Sequence, residues 1–291
     1  MREEPFEVRV ADGVLRGHLG GTGPPALLLH GGPAVSDYML GCAGELAELV
    51  STIRYTQRGA RPSAVGPPYS IESHTADALR VLDSLGVTRA WAIGHSWGAH
   101  LALHLLARHP DRLLGVACIN CLGAHDVFAE FGERLRRALT EAQVARLDEI
   151  EALRRRGQVT EADLVERMSV LWPTFFTEPE RAPPSPITHI GVRCSIETNA
   201  SIADHFERGT LVQELPSARL PALFVHGADD PLPLRASTDT AALIRGARVE
   251  TIAACGHVPW LERPGEVRLA VGRFFAHAPT AGRGAGGSGL D

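Results

Sequence analysis

Short apolar runs alternate with longer amphipathic ones along most of this chain. Residues 6–10 and 14–19 flank Asp12-Gly13, a dipeptide suited to a hairpin turn, and predict two paired strands. Residues 26–29 make a brief, wholly apolar run that ends in His30-Gly31-Gly32-Pro33; residues 51–55 make a second that ends in Gln57-Arg58-Gly59. Residues 71–85 place Ala76, Leu79, Val81 and Leu82 on one helical face and stop at Gly86. An apolar strand at 90–93, a helix running to His109-Pro110 and a strand at 114–119 follow. Later strands fall at 222–225 and 249–252, and a last helix at 265–275. Strands alternating with helices predict an α/β fold, a mostly parallel sheet covered on both faces.

Residues 123–216 break the rhythm. Residues 129–168 are rich in Glu and Arg at helical spacing, and Thr140-Glu141-Ala142-Gln143 spells a capping box ahead of Val144, Leu147, Ile150 and Leu153. Pro173, Pro179, Pro183, Pro184 and Pro186 mark an irregular stretch. The expected organisation is a core from residues 1–122 and 217–277, a helical lid from 123–216, and a flexible Gly-rich tail from 278–291. The charge runs of the lid read as solvated helix faces.

Composition narrows the functional classes. The 291 residues carry a formal charge of −5, and all 29 basic residues are arginine, with no basic excess to suit nucleic acid. The N-terminus lacks the apolar stretch of a signal peptide, and the longest apolar run, 113–124, is too short to span a bilayer. Five cysteines without regular spacing suit a reducing cytoplasm, and Cys118 and Cys121 read as buried thiols rather than half of a zinc site. These features predict a cytoplasmic protein acting on a small molecule, without membrane or nucleic-acid partners. Oligomeric state is not encoded in any of them.

The chemistry gathers around Gly94-His95-Ser96-Trp97-Gly98, which lies between a predicted strand and a predicted helix. A strand, a G-x-S-x-G turn and a helix make a nucleophile elbow, which lifts the serine hydroxyl above the sheet edge. Serine needs a base to take its proton and a carboxylate to orient that base. His257, in Gly256-His257-Val258-Pro259 after the last predicted strand, fits the base. For the acid, Asp229 and Asp230 compete after the strand 222–225, and Asp126 is a third candidate. An oxyanion would be held by the Trp97 N–H and by a second N–H from the Gly-rich loop, best supplied by Gly32. No H-E-x-x-H pattern occurs, and no G-x-G-x-x-G or G-K-[ST] follows the strand that leads into His30-Gly31-Gly32, so neither zinc nor a nucleotide is called for, and no cofactor is expected.

Residues 6–126 and 222–275 resemble the α/β-hydrolase superfamily. In that family the acid follows a G-x-x-D pattern, and Gly227 leads here to Asp230; His257 fits the family's G-H-x-x-x-x-E-x-P through Gly256, Glu262 and Pro264. Within it the chain looks most like the prolyl iminopeptidase branch, whose H-G-G-P-G, D-Q-R-G-x-G-x-S and G-G-S-W-G patterns are approached by residues 30–34, 56–63 and 94–98. Ala34, Thr56 and His95 depart from those patterns, and the branch's lid motif is not recognisable. The resemblance implies a metal-free serine hydrolase with Ser96, Asp230 and His257 as catalytic residues and an acyl-enzyme intermediate. It also implies that a lid glutamate, best represented by Glu197, would bind a substrate ammonium in an aminopeptidase. An esterase would instead present apolar lid contacts such as Leu171, Trp172, Phe175 and Phe176. Carbon–carbon hydrolysis and cofactor-free haloperoxidase chemistry are known on this fold, and a slow-turnover ligand receptor is the reading from another class.

Overall fold

The computed structural model of the protein describes residues 2–277, so the expected flexible tail at 278–291 lies outside the described residues. Strands β1 (Glu4–Val10) and β2 (Gly13–Gly21) form the expected antiparallel hairpin around Asp12-Gly13. Strands β3 (Pro25–Leu29), β4 (Ser51–Thr56), β5 (Ala64–Val65), β6 (Ala90–His95), β7 (Leu113–Ile119), β8 (Ala222–Gly227) and β9 (Arg248–Ile252) complete one sheet. Its order is β1-β2-β4-β3-β6-β7-β8-β9, with the two-residue β5 added to β2. From β4 to β9 every neighbouring pair is parallel. Chain order doubles back at β3, so the carboxyl ends of β3 and β6 lie side by side, and open α/β sheets place ligands at such a reversal.

Alternation along the strands feeds two cores. Leu27 and Leu29 face one side of the sheet, with Ala92, Ala99, Leu101 and Leu105. Leu28, Ile93, Ala117 and Val225 face the other. Helices α1 (Leu40–Leu46), α2 (Ile71–Ser84) and α3 (Trp97–Arg108) follow β3, β5 and β6 respectively. Ser70 caps α2 by accepting from the Ser73 N–H, and Gly86, at φ +67°, follows its end where the sequence predicts the stop.

Between β7 and β8 the chain builds α4 (Phe128–Arg137), α5 (Glu141–Arg155), α6 (Glu161–Leu171), α7 (Val192–Glu207) and α8 (Thr210–Glu214). The Thr140–Gln143 capping box forms as read, and Thr160 with Asp163 forms a second that the sequence reading passed over. Leu147 and Ile150 are buried, while Arg146 pairs with Glu166 at 2.7 Å on the solvent side. The Pro-rich run between α6 and α7 is irregular, and it docks onto the core through a bridge between Val35 and Ile190. Helices α9 (Arg235–Ala242), α10 (Pro259–Glu262) and α11 (Glu266–His277) complete the fold.

Burial depresses the basicity of six histidines, His30, His74, His95, His100, His104 and His226, with His74 brought down to about 3 and His100 to about 4. Histidines of the unfolded chain titrate near 6.5, as in model peptides. Below that pH the unfolded state therefore binds more protons than the folded state. Stability is fully present above about pH 7 and is lost as pH falls through 6.5, by up to about 1.4 kcal/mol per pH unit for each such group. Urea unfolding at pH 5.5 should give a free energy at least about 2 kcal/mol below that at pH 7.5. An unchanged value would show that these rings are not held neutral.

Candidate active site

Ser96 stands between β6 and α3 at φ 55° and ψ −118°, a region that side-chain-bearing residues rarely adopt. The strain is held by its N–H, which donates to the Ile119 carbonyl at 2.9 Å. It is also held by two glycines: a Cβ on Gly94 would strike the backbone of Gly98 and Ala99, and one on Gly98 would strike Leu29 and His30. The carboxyl end of β3 therefore packs directly on the first turn of α3, whose N–H groups have no partner within the helix.

The Gly-rich loop after β3 is set by a chain of hydrogen bonds whose polarity is unambiguous. The Gln57 N–H donates to His30 Nε2 at 2.9 Å. His30 therefore carries its proton on Nδ1, which donates to the Gly31 carbonyl at 2.7 Å. In a trans peptide the N–H points opposite to the C=O, so this bond turns the Gly32 N–H away from His30. The Trp97 indole can only donate, so Gln57 Oε1 accepts from it at 2.8 Å and Gln57 Nε2 donates to the His30 carbonyl at 2.8 Å. Arg58, next along, is buried and holds Asp77 of α2 through two bonds of 2.7 and 2.8 Å.

His257 and Asp230 meet on the loops after β9 and β8. Nδ1 of the ring lies 3.0 and 2.8 Å from the two carboxylate oxygens, with His257 5% and Asp230 3% exposed. A carboxylate only accepts, so Nδ1 is the donor in this pair. Asp230 also accepts from the Leu232 N–H at 2.8 Å. Asn120, at φ +46° just past β7, ties both loops: its Nδ2 donates to the Gly256 carbonyl at 3.0 Å and its Oδ1 accepts from the Gly227 N–H at 2.9 Å. Glu262 accepts from the Gly256 and Thr177 N–H groups at 2.6 and 2.8 Å. The His257 N–H donates to the Phe175 carbonyl at 2.6 Å, so the loop after β9 and the segment after α6 are fastened together.

The other sequence candidates separate by position. Asp229 is exposed and accepts from the Thr177 hydroxyl at 3.3 Å, and Asp126 accepts from the Phe128 N–H ahead of α4. Phe175 packs its ring 5.0 Å from that of His257, and Trp172 lies 6.0 Å from Phe175 and 5.3 Å from Phe176. Glu197 lies on α7 with its carboxylate taken by Arg193 at 2.6 Å. The sequence reading missed Phe131, whose ring centroid lies 6.3 Å from that of His257, and Tyr38, which bonds to His95. Neither belongs to a motif; only the fold brings them there.

Among the described residues no group of three or more His, Cys, Asp or Glu side chains is arranged to hold a metal ion, and no helix is long and apolar enough to cross a membrane. All five cysteines are buried and free, Cys118 and Cys121 included. An open cleft of about 480 Å³ lies among Val165, Trp172, Pro183 and Ile187, and one of about 620 Å³ among Arg9, Asp12, Arg58 and Arg80. Neither is lined by Ser96, Asp230 or His257.

A family model described as the alpha/beta hydrolase fold matches residues 24–264. The chain belongs to the α/β-hydrolase family. This α/β hydrolase is 27% identical over 275 residues to 2-hydroxymuconate semialdehyde hydrolase of Pseudomonas putida, covering 90% of each chain. It is 25% identical over 258 residues to proline iminopeptidase of Lactobacillus delbrueckii subsp. bulgaricus, covering 82% of this chain and 85% of that one. The crystal structure of the enol-lactonase from Burkholderia xenovorans LB400 superimposes with a TM-score of 0.64 at 25% identity, covering 93% of this chain and 100% of that one. Two further bacterial hydrolases match more locally, and the chain spans only 35% and 29% of their lengths.

Asn120 offers a test of how this α/β hydrolase holds its loops. Asn120→Ala leaves the buried Gly227 N–H unpartnered and the buried Gly256 carbonyl with only the weak Cys255 thiol contact at 3.6 Å, each lost bond worth about 1–3 kcal/mol. Equilibrium unfolding should show a loss of about 2–4 kcal/mol. A loss under about 0.5 kcal/mol would mean that the two loops do not depend on it.

Proposed function

We propose that this α/β hydrolase is a serine hydrolase acting on a small ester or lactone through an acyl-enzyme. The observation that carries the reading is the buried Asp230–His257 pair, whose ring Nδ1 is held by both carboxylate oxygens on loops beyond the same carboxyl edge of the sheet as the strained Ser96. In this mechanism Ser96 Oγ attacks the carbonyl carbon while His257 Nε2 takes its proton. The oxyanion is held by the N–H groups of Trp97 and Gly32. Collapse expels the alcohol, which takes the proton back from His257. Water then attacks the acyl group by the same route and releases the acid and Ser96. Asp230 stabilises the imidazolium in both steps without itself becoming protonated.

The substrate class follows from what surrounds the base. Phe131 and Phe175 lie against the His257 ring, and in this reading the segment from α4 to α8 is a lid that presents these two aromatic rings beside the base. Apolar rings there favour an uncharged acyl compound over one with a free ammonium group. Two relatives are named for small organic molecules, one hydrolysing a semialdehyde and one a lactone. The second reading is a prolyl aminopeptidase, favoured by the proline iminopeptidase relative and the shared Gln57-Arg58-Gly59 and Ser96-Trp97-Gly98 pieces. Those pieces act here as internal braces, and Glu197, the ammonium-binding candidate, is already paired with Arg193.

Ser96→Ala should keep the fold and lose about 10⁴–10⁶ in kcat on short p-nitrophenyl esters. Asp230→Asn should lose about 10⁴, since amide in place of carboxylate favours the wrong histidine tautomer, while Asp229→Asn stays within a few-fold of wild type. A dead Asp229 variant beside an active Asp230 variant would reverse the acid assignment. Near-normal turnover by Ser96→Ala would end the serine mechanism.

Parallel assays separate the two substrate readings. The wild type should cleave short acyl esters and leave aminoacyl arylamides untouched, and Glu197→Gln should change neither rate. Ready cleavage of prolyl arylamides, with KM raised about 100-fold or more in Glu197→Gln, would establish the aminopeptidase reading instead.

A further inference from the structure

Tyr38 and His95 lie between the two loops that the proposed mechanism must keep in register. The hydroxyl of Tyr38 accepts from the Gly31 N–H at 3.1 Å and lies 2.6 Å from His95 Nδ1. The other ring nitrogen of His95, Nε2, lies 2.7 Å from the main-chain carbonyl of His257. A carbonyl can only accept, so His95 carries its proton on Nε2 and presents a bare Nδ1. Tyr38 must therefore donate to His95. Every proton in the series has one address: Gly31 N–H to Tyr38, Tyr38 O–H to His95, His95 Nε2–H to the carbonyl of His257.

The packing around this series is tight. A Cβ placed on Gly31 would meet the Tyr38 hydroxyl and come within 3.1 Å of Ser96 Cβ and 3.3 Å of His95 Nδ1, so the three groups surround one point. Trp260 of α10 stacks on Tyr38 at 6.3 Å and meets His95 edge-on at 4.8 Å. The His95 and His257 rings are 4.7 Å apart. Burial and the neighbouring His257 hold His95 well below its ordinary basicity, and burial keeps the Tyr38 phenol protonated. The series therefore stays in one protonation state while His257 takes and returns a proton.

We infer that Tyr38 and His95 are positioning residues that act as one unit, locking the Gly31–Gly32 loop to the backbone of His257 across the Ser96 nucleophile. The inference rests on the serine-hydrolase reading for its kinetic meaning, though the hydrogen-bond series stands without it. Neither side chain transfers a proton to substrate. Their effect is on geometry: the oxyanion donor and the base are held at a fixed separation, and a misplacement of about 1 Å in such groups can cost about 10²-fold in rate. The loss should fall on kcat, because ground-state binding under the lid does not use these bonds.

The test is a double-mutant cycle with a rescue. Tyr38→Phe and His95→Leu should each lower kcat for a p-nitrophenyl ester by about 10- to 100-fold with KM within about threefold. The double variant should be no slower than the slower single, since either cut breaks the same unit. His95→Gln, which restores one donor and one acceptor, should return kcat to within about fivefold of wild type. Multiplying losses, a loss confined to KM, or a Gln variant as slow as the Leu variant would overturn the inference. Two measurements keep it separate from the hydrolase reading. Labelling of Ser96 by an organofluorophosphonate judges that reading alone. Imidazole ¹⁵N signals of the wild type judge the series whether or not the protein turns over: His95 should be neutral and protonated on Nε2 from pH 5.5 to 8, and a ring protonated on Nδ1 would overturn it.

Discussion

The side-chain amide of Gln57 is the group on which the site's geometry depends. It accepts from the Trp97 indole on the elbow helix and donates to the His30 carbonyl at the end of β3. Its own backbone N–H fixes the tautomer of His30, and through that tautomer the plane of the Gly31–Gly32 peptide. Three chain segments, from β3, β4 and β6, are thereby held against one another at the reversal in strand order. All these groups are buried, and leaving any one unpaired would cost about 1–3 kcal/mol. The arrangement is thus specified by hydrogen-bond polarity as well as by apolar packing.

That constraint changes what the resemblance to proline iminopeptidases means. Gln57, Arg58 and Trp97 are the residues that carry it, and each points inward to another part of the protein. They describe how an elbow and its neighbouring loop are braced, and they carry no information about the group a lid must recognise. The departures are informative in the same way. Thr56, where the branch pattern has aspartate, accepts from the Asp37 N–H at 3.2 Å and from the Ser63 hydroxyl through its carbonyl at 2.6 Å. His95, where that pattern has glycine, supplies the link between Tyr38 and the His257 carbonyl.

The sheet, the hairpin and the elbow were legible in the sequence because each follows from local pattern: short apolar runs, Asp12-Gly13, and glycines flanking a serine. The family match over residues 24–264 agrees with that reading. The choice between Asp229 and Asp230 was not legible from the residues themselves. Adjacent carboxylates on one loop look alike until the backbone turns one into the core and the other to solvent. Tyr38, Phe131 and Asn120 were hidden for a related reason. Their partners lie far off in sequence, 57 residues for Tyr38 and His95 and 136 for Asn120 and Gly256, and no spacing rule reaches that distance. The segment between β7 and β8 was legible as helices, and the Thr140 capping box forms as read, but the placement of Trp172 and Phe175 depends on how the irregular turn that carries them folds back.

The central claim is that one peptide plane, set by His30 and Gln57, aims the Gly32 N–H at the same point as the N–H that opens α3. A crystal structure of the protein reacted with an alkylphosphonate ester tests this most directly, because the tetrahedral phosphorus stands in for the attacked carbonyl carbon. The account predicts phosphorus bonded to Ser96 Oγ, with one phosphonyl oxygen within about 3.1 Å of both the Gly32 and Trp97 N–H nitrogens. An adduct whose oxygen is held by neither group, or phosphorus bonded to another side chain, would contradict it.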